Sequence, residues 1–396
     1  MKERYWHRAQ KTIAQGCLTN SKHPDSLING LSPTHIKEGF GAFLIDEDDN
    51  KWLDFMGGLG TCLFGAANHK ISMKAFAAIS KGPCYSVASV HEVHAAEKLK
   101  ELFFWVDRWK FLKTGSEACA ASVKIARNYT GRYKVLSDGY HGHLDMFMHF
   151  NPPAAGIPAD PWVIKLKDLD QIDKDTAAVI VEPVITDWSP ARRDYLTELR
   201  KRCDETGAVL IFDEVITGFR FPKYSVSAFW NITPDLIILG KAMAGGFPLA
   251  AVGGKKELMD DRQYFVSSTY AGEAGSLAAC VAVTELLQKD PAYNIEALWE
   301  DGQTFIDEFN SYGPIKLEGY PTRGIITGDY GLFMQEAAKN RMLFCKSWFY
   351  NWHLAKGKAL YMPAIKEIQE RIGEGKAVMN YPAPTSPFSM KVRNTK

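Results

Sequence analysis

The chain has 396 residues, 46% of them hydrophobic and 23% charged, which describes a globular protein with room for one large core and a satellite. Its net charge of +1 excludes the basic footprint of a nucleic-acid or anionic-membrane binder, and no apolar stretch approaches the ~20 residues of a membrane helix. Seven cysteines without a Cys-x-x-Cys pair argue against a disulfide framework or a zinc site and for a reducing cytoplasm, and the segment Met1 to Arg8 lacks the apolar core of a signal peptide.

In chain order, a helix is predicted over 4–15, followed by an irregular stretch through Pro24 and Pro33. Two apolar runs, 41–46 and 51–55, flank the turn Glu47-Asp48-Asp49-Asn50 and read as a hairpin. The glycine-rich Gly57-Gly58-Leu59-Gly60 comes next. From there strands and helices alternate, the pattern of a mostly parallel sheet covered on both faces. Helices are predicted over 90–102, 116–129 and 193–206, and strands over 134–136, 178–181, 208–212 and 236–239. The last three strands are near-continuous apolar runs, as strands buried on both faces require. Helices over 274–288 and 295–310 follow, with a domain boundary near Asp290, where the segments shorten. A charged helix near 365–373 and a proline-bearing surface strap after Tyr381 complete the pattern.

Several of these strands end in groups that carry chemistry. Lys241 closes the run Leu236-Ile237-Ile238-Leu239-Gly240, an expensive place for an ammonium group. Burial favours the neutral amine, which attacks an aldehyde to form a Schiff base. The run Ala208 to Phe212 ends in Asp213-Glu214, so a neighbouring strand delivers carboxylates. A Schiff-base lysine with an aspartate for a pyridinium nitrogen is what pyridoxal 5'-phosphate (PLP) demands of a protein. Thr114-Gly115-Ser116 opens a helix after an apolar run and suits an anion, although Ser116 as a plain helix cap explains the same residues. Tyr140 and His141 follow another strand, where an aromatic ring stacks on a flat ligand or simply packs. Glu182 ends a further strand at the edge where open α/β sheets bind ligands, a position where a lone glutamate more often caps a loop. His141 and His143 have no third ligand at a metal-site spacing, so no metal site is expected. Singly, each group has a bland structural explanation; at the carboxyl ends of strands in one sheet they are complementary parts of one cofactor site.

Taken together, Thr114-Gly115-Ser116-Glu117-Ala118, Tyr140-His141-Gly142-His143, Val181-Glu182-Pro183, Asp213-Glu214-Val215, Gly240-Lys241 and Gly245-Gly246-Phe247-Pro248 resemble the class III aminotransferases of PLP fold type I, and within them the glutamate-1-semialdehyde aminomutase branch. The similarity covers roughly 41–287. It implies an α/β fold: a large domain (57–290) with a mostly parallel sheet flanked by helices, and a smaller α+β domain built from both termini (1–56 and 291–396). It implies that Lys241 forms the internal aldimine and shuttles a proton, and that Asp213 keeps the pyridine nitrogen protonated. Val215 and Tyr140 would flank the ring, with His141 and Glu182 beside them, and Gly115 and Ser116 would hold the phosphate. Thr269 matches the family threonine that reaches the phosphate of a neighbouring subunit, which implies a homodimer.

The departures fall on substrate recognition. Where the aminomutases carry an arginine that anchors the substrate carboxylate, the matching stretch Leu31-Ser32-Pro33-Thr34-His35 has His35, a poor carboxylate clamp at neutral pH. The segment Val184-Ile185-Thr186-Asp187-Trp188 and a shortened terminal domain also differ. The expected activity is therefore an aminotransferase that moves an amino group from a small donor to an aldehyde or ketone through a pyridoxamine phosphate form, with an intramolecular aminomutase as the alternative.

Overall fold

The computed structural model describes residues 4–148, 160–261 and 263–387. The chain divides into two compact units, residues 1–68 with 297–396 and residues 69–296.

The first unit begins with strands β1 (Ile36–Phe40), β2 (Phe43–Asp46) and β3 (Lys51–Asp54), paired antiparallel in that order. The expected hairpin is β2–β3. Asp46 closes its turn, accepting the N–H groups of Asp48 (2.9 Å) and Asn50 (2.8 Å) and the indole N–H of Trp52 (2.8 Å). β1 has no alternating apolar pattern, since its residues are almost all exposed, and pairing with β2 alone makes it a strand. The glycine-rich loop also belongs here. Gly41 bridges Ala66, and a Cβ on Gly60 would sit 2.6 Å from the Phe349 ring, so this unit reaches Asn68 and does not stop at Met56.

The second unit is built on a sheet of β4 (Arg108–Leu112), β5 (Lys134–Asp138), β6 (Val163–Lys165), β7 (Thr176–Val181), β8 (Val209–Asp213), β9 (Leu236–Leu239) and β10 (Ala250–Gly254). Their spatial order is β4-β10-β9-β8-β7-β5-β6. All neighbours are parallel except at β10, which runs antiparallel to both β9 and β4. Every residue of β7, β8 and β9 is buried, as their apolar runs anticipate. Alternation along β8 sends Ile211 to one face and Leu210 and Phe212 to the other. The helix Gly115–Thr130 covers the first face with Ala118, Val123 and Ala126, and the helix Pro190–Thr206 covers the second with Leu196, Leu199 and Cys203. Both helices end on a left-handed glycine, Gly131 (φ 67°) and Gly207 (φ 72°).

The chain then returns to the first unit. β11 (Lys316–Tyr320), β12 (Arg323–Thr327) and β14 (Ser347–Phe349) form a three-stranded antiparallel sheet, while β13 (Met342–Leu343) pairs parallel with β3. Stacked rings fill this core: Phe55 lies 4.1 Å from Phe344, and Phe305 lies 4.8 Å from Tyr350. Among the described residues no helix is long and apolar enough to cross a membrane.

One cap in the large unit carries a testable charge. Glu273 opens the helix Ala274–Lys289, accepting from Gly275 N (2.6 Å), Ser276 N (3.0 Å), Ser276 Oγ (2.6 Å) and Lys113 Nζ (3.0 Å). Burial opposes its ionisation, but these donors outweigh it and hold the carboxyl at about 2, below its ordinary 4.5. A carboxylate that is more acidic folded than unfolded stabilises the fold above 4.5 and loses that contribution as pH falls towards 2. Urea denaturation across this window should show wild-type stability falling with acid, and a smaller fall in Glu273→Gln, whose baseline stability is lower.

Candidate active site

All the strands except β10 point their carboxyl ends to one edge, and the loops that leave this edge carry the residues of interest. β4 leads into Thr114-Gly115-Ser116. Thr114, not Ser116, is the helix cap: its Oγ1 accepts from Glu117 N (3.2 Å), and the Glu117 carboxylate answers by accepting from Thr114 N (2.8 Å). Ser116 is thereby released from capping. Its hydroxyl instead meets His143, 3.1 Å from Nδ1, and accepts from His143 N–H at 3.2 Å. The N–H groups of Gly115 and Ser116 have no protein partner among the described residues. Two open amides at the positive end of a sixteen-residue helix make a place for an anion.

Glycines hold this edge close. Gly142 has φ 99°, and a Cβ there would stand 2.2 Å from Ser116 Oγ. Val215 lies against both Gly115 and Gly240, where added Cβ atoms would sit 3.0 and 3.3 Å from Val215 Cγ1. The loops after β4, β8 and β9 thus meet around one valine. The loop after β5 joins through Tyr140, whose N–H donates to Glu182 Oε1 at 2.6 Å. Glu182, at the end of β7, therefore holds the Tyr140 loop, as a loop-capping glutamate does. Tyr140 itself is half-exposed, with burial raising its phenol above the ordinary value.

Asp213 ends β8 and is 5% exposed. Its Oδ2 accepts from His141 Nδ1 at 2.8 Å and from Cys119 Sγ at 3.3 Å; its Oδ1 accepts from Val215 N–H at 3.1 Å. His141, buried and edge-on to Phe147, stands beside the carboxylate. Cys119 was not foreseen, although it follows Ser116 by three residues on a predicted helix and shares its face. These three residues place ligating atoms within 4.8 Å of one another, so the expectation that His141 lacks a third ligand fails in space: the other groups come from different elements. The distances of 2.8 and 3.3 Å are those of donors on a carboxylate, and we read the cluster as a hydrogen-bonded cage.

Glu214, the next residue, points away from this edge. It is fully buried and accepts from Val226 N (2.8 Å), Ser227 N (3.0 Å) and Thr217 Oγ1 (2.9 Å), a structural role. Lys241 starts a short 3-10 turn directly after β9, half-buried, with φ 44°. A lysine in the left-handed region is uncommon and costs of order 1 kcal/mol, which the surrounding structure must impose. Its charge and those of Asp213 and Glu182 all act on the Cys119 thiol, so lysine and carboxylates share one neighbourhood. Thr269 is exposed on the turn before the helix Ala274–Lys289, and nothing among the described residues ties it to Ser116. His35 belongs to the first unit, with Nδ1 3.2 Å from Thr34 Oγ1 and its ring against Tyr5.

Comparison with known proteins identifies the family. The family model for class III aminotransferases matches residues 29–157 and 160–311. The chain belongs to the class III aminotransferases. A glutamate-1-semialdehyde 2,1-aminomutase of Syntrophobacter fumaroxidans is 33% identical over 309 residues, covering 71% of each chain. The internal aldimine form of the FumI protein of Sphingopyxis sp. MTA144 superposes with a TM-score of 0.84 at 25% identity, covering 94% of this chain and 95% of that one. An omega-transaminase from Sphaerobacter thermophilus shares the fold with a TM-score of 0.83 at 21% identity, covering 92% and 96%. The family's cofactor is PLP, and the residues present fit it: open amides and a helix dipole for a phosphate, a buried carboxylate for a ring nitrogen, an amine in the turn after the adjoining strand, and glycines where a Cβ would close the space.

Gly142→Ala tests the cradle. The added methyl should push the His141–His143 loop off Ser116, lowering cofactor affinity about ten-fold for a strain of 1–3 kcal/mol, read by fluorescence titration of apoprotein with PLP. Gly131→Ala is the control, having φ 67° and open space within 4 Å; it should lose thermal stability and keep its affinity.

Proposed function

We propose that this class III aminotransferase moves an amino group from a small amino donor to an aldehyde or ketone acceptor. The observation that carries the reading is the pairing of a carboxylate and a lysine on neighbouring strands, Asp213 closing β8 opposite Ile238 of β9, with Lys241 in the turn that follows. PLP, when bound, supplies an electron sink for the carbon bearing the amino group. The chain supplies the rest. Gly115 and Ser116 would bind the phosphate, Asp213 would hold the ring nitrogen, and Val215 and Tyr140 would flank the ring. His141 steadies Asp213, and Glu182 holds the Tyr140 loop. Lys241 would hold the cofactor through its amine, and that amine would be the base that moves the proton at the reacting carbon.

His35 in place of a carboxylate-anchoring arginine supports an acceptor other than glutamate semialdehyde. The 33% identity to a protein named as an aminomutase keeps intramolecular transfer as the second reading. Purified holoenzyme mixed with single amino compounds should lose its visible absorbance band with the true donor and regain it with the true acceptor. Sustained turnover of glutamate-1-semialdehyde with no second carbonyl compound would instead establish the aminomutase. Lys241→Ala should abolish both the band and turnover, and normal activity in that variant would end the reading.

The same reading places the enzyme in the cytoplasm as a homodimer. Phe76, Val87, Val90 and Val93 are more than half exposed on the helices His69–Ile79 and Val90–Leu102 and the segment between them. Such an apolar face supports burial against a second copy. The turn carrying Thr269 adjoins it: Gly272 abuts Glu92, and Ala274 N–H donates to Pro83 O at 2.9 Å. Sedimentation should give a dimer. Thr269→Ala should leave the dimer intact and weaken cofactor affinity by about ten-fold, the loss of one hydrogen bond to a charged group.

A further inference from the structure

Cys119 lies on the helix Gly115–Thr130, three residues beyond Ser116, so one helix face carries both side chains. It is 1% exposed, with Sγ 3.3 Å from Asp213 Oδ2. An ionised carboxylate only accepts, and it offers about four acceptor sites. His141 Nδ1–H and the Cys119 thiol occupy the two on Oδ2, and Val215 N–H occupies one on Oδ1. One site on Oδ1 is left.

Resting on the functional reading above, we propose that Cys119 is a positioning residue for Asp213. By donating its thiol proton to Oδ2, it holds the carboxylate so that Oδ1 turns its last acceptor site to the ring nitrogen of the cofactor. Because Cys119 and Ser116 ride on one helix, the same contact fixes the distance between the nitrogen partner and the phosphate turn. The thiol is suited to the task. Burial first, and then the charges of Asp213 and Glu182, push it well above its ordinary value, so it keeps its proton and remains a donor. A hydroxyl at the same place would donate more strongly, and a methyl would not donate at all.

The test uses holoenzyme loaded with PLP labelled with nitrogen-15 in the ring, in wild type, Cys119→Ala and Cys119→Ser. Losing one donor leaves the Asp213 carboxylate less well held, so that Oδ1 supports the proton on the ring nitrogen less well. The nitrogen resonance of Cys119→Ala should therefore move towards the unprotonated pyridine value. Its cofactor affinity should fall about five-fold, the effect of one modest hydrogen bond. Cys119→Ser should restore the wild-type position. A resonance and an affinity unchanged in Cys119→Ala would overturn the role of Cys119 and leave the functional reading standing. A wild-type protein that takes up no PLP would overturn both.

Should Cys119→Ala fail to fold, infrared difference spectra of wild type against Asp213→Asn decide the matter. An S–H stretching band that weakens its hydrogen bond when the carboxylate becomes an amide supports the contact. No change in any S–H band refutes it.

Discussion

The structure depends on satisfying a carboxyl group buried at the end of a sheet strand. Asp213 ends a strand whose five residues are all buried, and an isolated charge there would cost far more than the fold can tolerate. What makes it tolerable is a set of donors from three places: His141 after β5, Cys119 on the helix after β4, and Val215 in its own loop. None of these is near Asp213 in sequence except Val215. The sheet order brings them in, because β8 sits between β9 and β7, with β5 one strand further on. The carboxylate and the fold are thus mutually dependent. The doubly covered sheet excludes water from Asp213, and the loops it aligns replace that water with fixed donors.

The contrast with Glu214 shows that burial alone does not make a site. Both acids follow the same strand, and Glu214 is the more deeply buried. Alternation sends it away from the loop edge, where it accepts from Val226 and Ser227 at the start of the helix Val226–Trp230 and from Thr217 in its own turn. Asp213 keeps one acceptor site uncommitted, whereas Glu214 takes the Ser227 hydroxyl as a fourth donor beside Val226 N, Ser227 N and Thr217 Oγ1.

The sequence made the framework legible where one physical rule dominated. Apolar runs marked β7, β8 and β9 because strands covered on both faces have no polar alternative. Lys241 and Asp213 were legible because charged groups directly after such runs are unusual. Contacts between elements were not legible. Ser116 and Thr114 are equally good caps by composition, and only the reciprocal bonds with Glu117 decide for Thr114. Cys119 carries no signal of its own in the sequence, and its contact with Asp213 exists only once the helix is laid across the sheet. The reversal of β10 escaped for the same reason, since Ala250–Gly254 has no pattern that gives direction. The glycine-rich loop after β3 was assigned to the large domain from sequence, and it joins the first unit through backbone bridging and the ring of Phe349.

Charge accounting at the loop edge bears on substrate choice. Arg192 stands close by, but its Nε donates to Pro183 O (2.9 Å) and its Nη2 to Glu182 O (2.9 Å), with Asp138 at 3.3 Å. Lys113, one residue before the phosphate turn, is paired with Glu273. Both cations therefore spend their charge on holding loops: Arg192 fixes the segment that carries Glu182, and Lys113 links the end of β4 to the helix that follows Thr269. Recruiting either to a substrate carboxylate would strip donors from a half-buried acid, a cost of 1–3 kcal/mol that a single clamp barely recovers. Gripping a substrate carboxylate with Arg192 or Lys113 would therefore loosen the loop that each one holds.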